Sequence, residues 1–175
     1  MVASVAQQVE YCICNAVVVG SSPTRGSKWK SMNKTKFIGD IGEAVCLAEF
    51  VKRGICVFLP FSENSPIDLI AEFDGKLNRI QIKTSESVKG GKIMWSLSSA
   101  VVKQKKCVRH LYTNQEIDYY CLYNVETQLC LLVPIDEIKC RTAITFTYPF
   151  VYCKTASSNH NWEDYTFDKI LNPLR

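Results

Sequence analysis

The sequence predicts an α/β domain in which a mixed central β-sheet is flanked by helices. Three observations carry that prediction: a helix-periodic stretch at 35–53, a hairpin signal at Asp74-Gly75, and a run of short apolar strands after it. With 175 residues, 47% hydrophobic and 22% charged, the chain suits one folded domain rather than a disordered segment. The longest apolar run near the start, Ala16 to Gly20, is too short to span a bilayer or act as an ordinary signal sequence. A soluble, cytoplasmic protein with no membrane partner is expected.

The first thirty residues stand apart. Gly20-Ser21-Ser22-Pro23-Thr24-Arg25-Gly26-Ser27 reads as a turn-rich linker, and Met32 follows it. Residues 5–29 also resemble the peptide obtained when a transfer RNA gene is translated. The reading is therefore a doubtful extension at 1–31, either not made, with the start at Met32, or poorly packed, and a single domain at 32–175, with an extra strand through Ala16 to Val19 as the alternative.

Residues 35–53 read as the first helix. Phe37, Ile41, Ala44, Val45, Ala48 and Val51 recur at spacings of three and four, Thr35 is placed to cap the start, and Gly54 to end it in a left-handed conformation. Glu43 falls one position from this apolar stripe, where a carboxylate can reach a cleft. Glu49, six positions on, lies about 240° away at roughly 100° per residue, so the two acids need not share a face. Gly39 and Gly42 allow a strand or a phosphate backbone to come close.

After Gly54, Ile55 to Leu59 reads as a mainly buried strand closed by Pro60, and Pro66 to Phe73 as a second. Asp74-Gly75 is a strong two-residue turn signal, and Lys76 to Thr84 supplies the returning strand. With Asp74 and Gly75 at the turn centre, Asp68 lies opposite Gln81. The side-chain period of two puts Gln81 and Lys83 on one face with Asp68, while Leu69, Ala71, Ile80 and Ile82 face the other way into a core. An acid, an amide and an ammonium thus meet at one end of the hairpin. A merely solvated sheet face is the alternative, but Asp68 opens a strongly apolar strand, where an unpaired carboxylate would be costly.

In this order and context, Glu43 on a helix, Pro66-Ile67-Asp68 before one strand and Gln81-Ile82-Lys83 on the next resemble the PD-(D/E)XK nuclease superfamily. The resemblance runs from about Thr35 to Thr84 and more loosely to Arg141. Two departures stand out: one residue separates Pro66 from Asp68 where the motif has none, and Gln81 replaces an acid. Within the superfamily the chain looks most like small intron-encoded homing endonucleases of bacterial type, some of which use glutamine there, and secondarily like archaeal Holliday junction resolvases. The resemblance implies a restriction-endonuclease-like core and Mg²⁺-dependent hydrolysis of double-stranded DNA, with Mn²⁺ as a substitute.

Such hydrolysis calls for hard oxygen donors around a divalent cation, because negative charge develops on the phosphate. The resemblance makes Asp68 the principal metal ligand, with the Gln81 amide oxygen, the Ile82 main-chain carbonyl and Glu43 as further donors. Lys83 then orients or helps activate water and counters the developing charge. Glutamine removes one negative charge from the metal cage, so it implies weaker metal binding and leaves open a catalytically eroded DNA-binding module. Two cuts in a symmetric target imply a homodimer or homotetramer.

Downstream, Ile93 to Leu97, Asp118 to Tyr123 and Leu129 to Val133 read as strands, Pro134 to Ile138 as a short helix, and Arg141 to Phe146 as a last strand. Net charge is only +4, yet 88–109 holds Lys89, Lys92, Lys103, Lys105, Lys106 and Arg109 and no acid. These six and Arg141 are the candidate DNA contacts, with a solvated disordered or helical surface as the alternative for the basic stretch. Trp95 suits the core as well as a base. The nine cysteines show no C-x-x-C pair and read mostly as buried apolar thiols in a reducing compartment. Phe150, Tyr152, Trp162, Tyr165 and Phe167 read as packing or self-association, with a DNA-stacking surface as the alternative.

Overall fold

A computed structural model of the chain describes residues 33–62, 65–103, 106–149 and 161–171, with backbone only at 100–103 and 106–108. The proposed extension at 1–31, Lys105, Phe150 and Tyr152 lie outside the described residues. In chain order the elements are helix α1 (Lys34–Lys52) and strands β1 (Cys56–Phe58), β2 (Leu69–Phe73), β3 (Lys76–Ser85), β4 (Lys92–Ser96), β5 (Ser99–Lys103) and β6 (Lys106–His110). Strands β7 (Tyr119–Asn124), β8 (Cys130–Pro134) and β9 (Ala143–Thr147) follow, and then a short helix α2 (Phe167–Leu171). The central sheet has the order β1-β2-β3-β7-β8. It is mixed, since β3 and β7 run parallel and every other neighbouring pair is antiparallel.

Period-two alternation divides the side chains between two cores. Leu69, Ala71, Ile80, Ile82, Cys121 and Leu132 face α1, meeting Cys46 and Phe50. Tyr120, Leu122, Leu131 and Val133 face the opposite layer, where the two-stranded sheet β4-β9 supplies Ile93, Trp95 and Phe146. Trp95 is a core residue: it is fully buried and its indole Nε1 donates to the Tyr123 carbonyl at 2.8 Å. Tyr165 and Phe167 are buried too, as the packing reading expects. Among the described residues no helix is long and apolar enough to cross a membrane.

Several expectations need correction. The cap of α1 is Asn33, whose Oδ1 accepts from the Thr35 N–H at 3.0 Å, so Thr35 is already inside the helix. Gly54 does take the left-handed conformation, with φ of 72°. The buried face of α1 is Gly42, Cys46 and Phe50, whereas Phe37 and Val51 are exposed. Apolar residues occur nearly all round this helix, so spacing alone could not choose the face. β1 is an edge strand with Cys56 and Phe58 exposed, not a mainly buried one. Among its described residues the basic stretch is extended, not helical: β5 pairs antiparallel with β6 from Ser99↔His110 to Lys103↔Lys106. Pro134 to Ile138 gives a single 3-10 turn at Ile135–Glu137, and the last strand begins at Ala143, two residues after Arg141.

Close approach, one of the two roles read for Gly42, is met by a strand. A Cβ at this position would stand 1.8 Å from Thr84 Oγ1 and 3.0 Å from Thr84 Cβ, so the helix can lie on β3 only without a side chain there. Gly39 has open space around a built Cβ. Because Thr84 is β-branched and stiff, Gly42→Ala should destabilise the domain by about 1–3 kcal/mol through overpacking. Urea unfolding checks this, and Thr84→Ala in the same chain should restore part of the loss.

Candidate active site

The site is built on the β2-β3 hairpin. Asp74 and Gly75 both take positive φ, 54° and 68°, as a two-residue hairpin turn requires. The ladder runs Phe73↔Lys76 through Leu69↔Ile80, the register read from the turn, so the next position up sets Asp68 against Gln81. Asp68 N–H donates to the Ile80 carbonyl at 2.9 Å. Its carboxylate Oδ2 accepts from the Ile82 N–H at 2.6 Å and from Gln81 Nε2. Acid and amide are therefore joined, not merely neighbours. The nitrogen of the amide faces the acid, and it also lies 3.4 Å from the Ile82 carbonyl. Turning the amide by half would present its oxygen instead.

Lys83 stands two residues on along the same face. Its half-buried ammonium lies 5.0 Å from the centre of the Tyr112 ring, a cation–π contact. The Tyr112 carbonyl in turn accepts from Arg141 Nη1 at 3.4 Å. Tyr112 thus joins the lysine of the hairpin to the one basic residue expected beyond the short helical turn.

Glu43 reaches the hairpin from α1. It borders two clefts: one of about 370 Å³ with Ile82, Lys83, Thr84 and Glu86, and another with Asp68, Asp40 and Ile67. Electrostatics links the three charged groups. Burial raises the Asp68 pKa, against the pull of the Ile82 N–H and Lys83. Burial also raises Glu43, and repulsion from Asp68 and Asp40 adds to it. Burial lowers Lys83, opposed by Asp68 and Glu43. Two carboxylates whose pKa values are raised, beside a main-chain carbonyl, are hard oxygen donors only partly offset by Lys83. That is the donor chemistry a hard divalent cation takes, so the residues fit such an ion.

The basic candidates divide. Lys89 and Lys92 are exposed and line a cleft with Ser85, Glu86 and Met94, which shares Glu86 with the Lys83 cleft. Arg109 is exposed on β6. Lys103 and Lys106 pair with each other at the end of the β5-β6 hairpin, and their side chains are not described. Sequence reading missed Tyr112 altogether, because nothing local marks an aromatic residue 29 positions after Lys83 as its neighbour. Asp40 was also passed over, although it lies one turn before Glu43 and was within reach of a helical-wheel argument.

Comparison with known proteins bears on the family and the fold. The family profile described as PD-(D/E)XK endonuclease matches residues 33–167. Protein 5.3 of Escherichia phage T7 is 26% identical over 113 residues, covering 65% of this chain and 91% of that protein. Among solved structures, a bacterial homing endonuclease, I-Ssp6803I, matches with a TM-score of 0.60 at 24% identity, over 76% of this chain and 88% of that one. At that identity the likeness is one of fold.

Proposed function

This chain belongs to the PD-(D/E)XK endonuclease family, and from that premise we propose that it is a Mg²⁺-dependent endonuclease hydrolysing phosphodiester bonds in double-stranded DNA, of the homing-endonuclease kind. The observation that carries the reading is the convergence of Asp68, Gln81 and Lys83 at the open end of one hairpin, with Glu43 facing them from α1. Asp68 and the Ile82 carbonyl would hold the cation with help from Glu43, and Mn²⁺ would substitute. When bound, the ion supplies charge neutralisation at the phosphate and makes water a better nucleophile.

The remaining roles belong to the chain's own groups. Gln81 Nε2 and the Ile82 N–H fix Asp68 Oδ2 and so set the direction of the carboxylate. Lys83 Nζ, held against the Tyr112 ring, is placed to donate a hydrogen bond to the attacking water or to the developing phosphate charge. Lys89, Lys92, Lys103, Lys105, Lys106, Arg109 and Arg141 would neutralise backbone phosphates, which positions the duplex without reading sequence. A symmetric target cut on both strands calls for a homodimer or homotetramer.

A second reading has one observation in its favour. Gln81 turns its nitrogen to Asp68 where the family usually has a metal-binding acid, which suits a DNA-binding module with an eroded site. Cleavage assays separate the readings. A random-sequence duplex pool and four-way junctions are incubated with Mg²⁺ or with a chelator. Wild-type protein should cut duplex at discrete sites in Mg²⁺ alone, and preference for junctions would move the assignment to a resolvase. DNA retention with no cleavage, restored by Gln81→Glu, would establish the eroded reading. Absence of cleavage by both proteins on every substrate would reject nuclease activity.

A further inference from the structure

Sequence spacing gives no metal-binding cysteine motif, yet the fold brings three cysteines together. Cys46 of α1, Cys121 of β7 and Cys130 of β8 bring their three sulfurs within 4.8 Å of one another. Cys46 Sγ lies 3.7 Å and Cys121 Sγ 3.8 Å from Cys130 Sγ. The first two thiols are fully buried and Cys130 is half-buried.

We propose that Cys46, Cys121 and Cys130 form a binding site for a single thiophilic cation of the zinc class, separate from the Asp68 site and independent of the nuclease reading. The distances carry this. At a zinc–sulfur bond of about 2.3 Å, sulfurs on a tetrahedron stand about 3.8 Å apart, which matches both contacts to Cys130. Two thiols in plain packing contact stand at a similar distance, so what distinguishes a site is that all three sulfurs meet at one point. These three come from a helix and two strands and point at one another. On binding, the thiols that coordinate release their protons to solvent. Cys130 is the only one of the three with solvent exposure, so a fourth ligand, water or an outside donor, completes the shell from its side.

The consequence is mechanical. Cys46 follows Glu43 by three residues, and Cys121 is the direct partner of Ile82 in the β3-β7 ladder. A cation here would tie the helix bearing Glu43 to the strand beside the hairpin.

The test uses the full chain purified under reducing conditions and loaded with Zn²⁺ or Co²⁺. Native mass spectrometry should find one zinc retained per chain. The cobalt form should show thiolate-to-metal charge transfer that stoichiometric Zn²⁺ abolishes. Cys130→Ser, the mildest of the three changes, should lose both signals, while Cys140→Ser, at an exposed thiol outside the cluster, should keep them. Should Cys130→Ser fail to fold, X-ray absorption of the wild-type zinc form decides by counting three sulfur ligands. A metal-free mass, charge transfer that survives in folded Cys130→Ser, or a mass lower by two hydrogens from a disulfide among the three would overturn the site.

Discussion

Asp68→Asn is expected to abolish Mg²⁺-dependent cleavage, by about three orders of magnitude, while leaving the domain folded. The catalytic loss follows from the role proposed for the carboxylate. Metal-assisted charge stabilisation is worth several kcal/mol, and each ~1.4 kcal/mol is tenfold in rate. Folding survives because asparagine can still accept the Ile82 N–H, and its amide can meet a turned Gln81 amide in place of the present contact. The substitution also removes a charge that the fold holds unwillingly. Burial raises the Asp68 pKa, so the metal-free folded chain binds this proton more tightly than the unfolded chain does. Stability from this group is therefore present at low pH and lost as pH rises through the raised value. Other carboxylates are held low and pull the other way, as Asp118 is by Arg79, so the readout is a difference: in a chelator, the thermal midpoint of Asp68→Asn should gain on that of the wild type as pH rises through that window. Calorimetric titration with Mn²⁺ is the complementary measurement: binding unchanged in Asp68→Asn, or cleavage within tenfold of wild type, would remove Asp68 from the site.

The hairpin and its trio were legible because their signals are local. A two-residue turn sets the register, the period of two sets the faces, and both agree that Asp68 meets Gln81. The face of α1 was not legible, since Phe37 and Val51 fit an amphipathic stripe as well as Cys46 and Phe50 do; only the sheet beneath decides. The three-thiol cluster was hidden for a related reason. Its members lie 75 and 9 residues apart along the chain and meet only when α1 lies across β7 and β8, so a search by spacing finds nothing. The β5-β6 hairpin was obscured by its own charge. Lys103, Lys106 and Arg109 drew attention to phosphates, while Val101, Val102, Cys107 and Val108 carried the strand signal between them.

Lys83→Met separates the two halves of the proposed chemistry, because it should lower cleavage by about 10²–10⁴-fold without weakening metal binding. Methionine keeps the length and apolar stem beside Tyr112 but removes the ammonium. Without that charge, Asp68 and Glu43 lose a neighbour that favours their ionised forms. Their combined negative field is then less compensated, so Mn²⁺ should bind at least as tightly as in the wild type. Asp68→Asn loses binding and cleavage together, whereas Lys83→Met loses cleavage alone. The pH profile gives a third readout. Burial lowers the Lys83 pKa, so an essential protonated Nζ makes wild-type activity fall, as pH rises, before the ordinary lysine range is reached. That alkaline limb should vanish from the residual activity of Lys83→Met at saturating Mg²⁺. Persistence of the limb, or cleavage at the wild-type rate, would mean that the ammonium only neutralises the pocket and that water is oriented by another group.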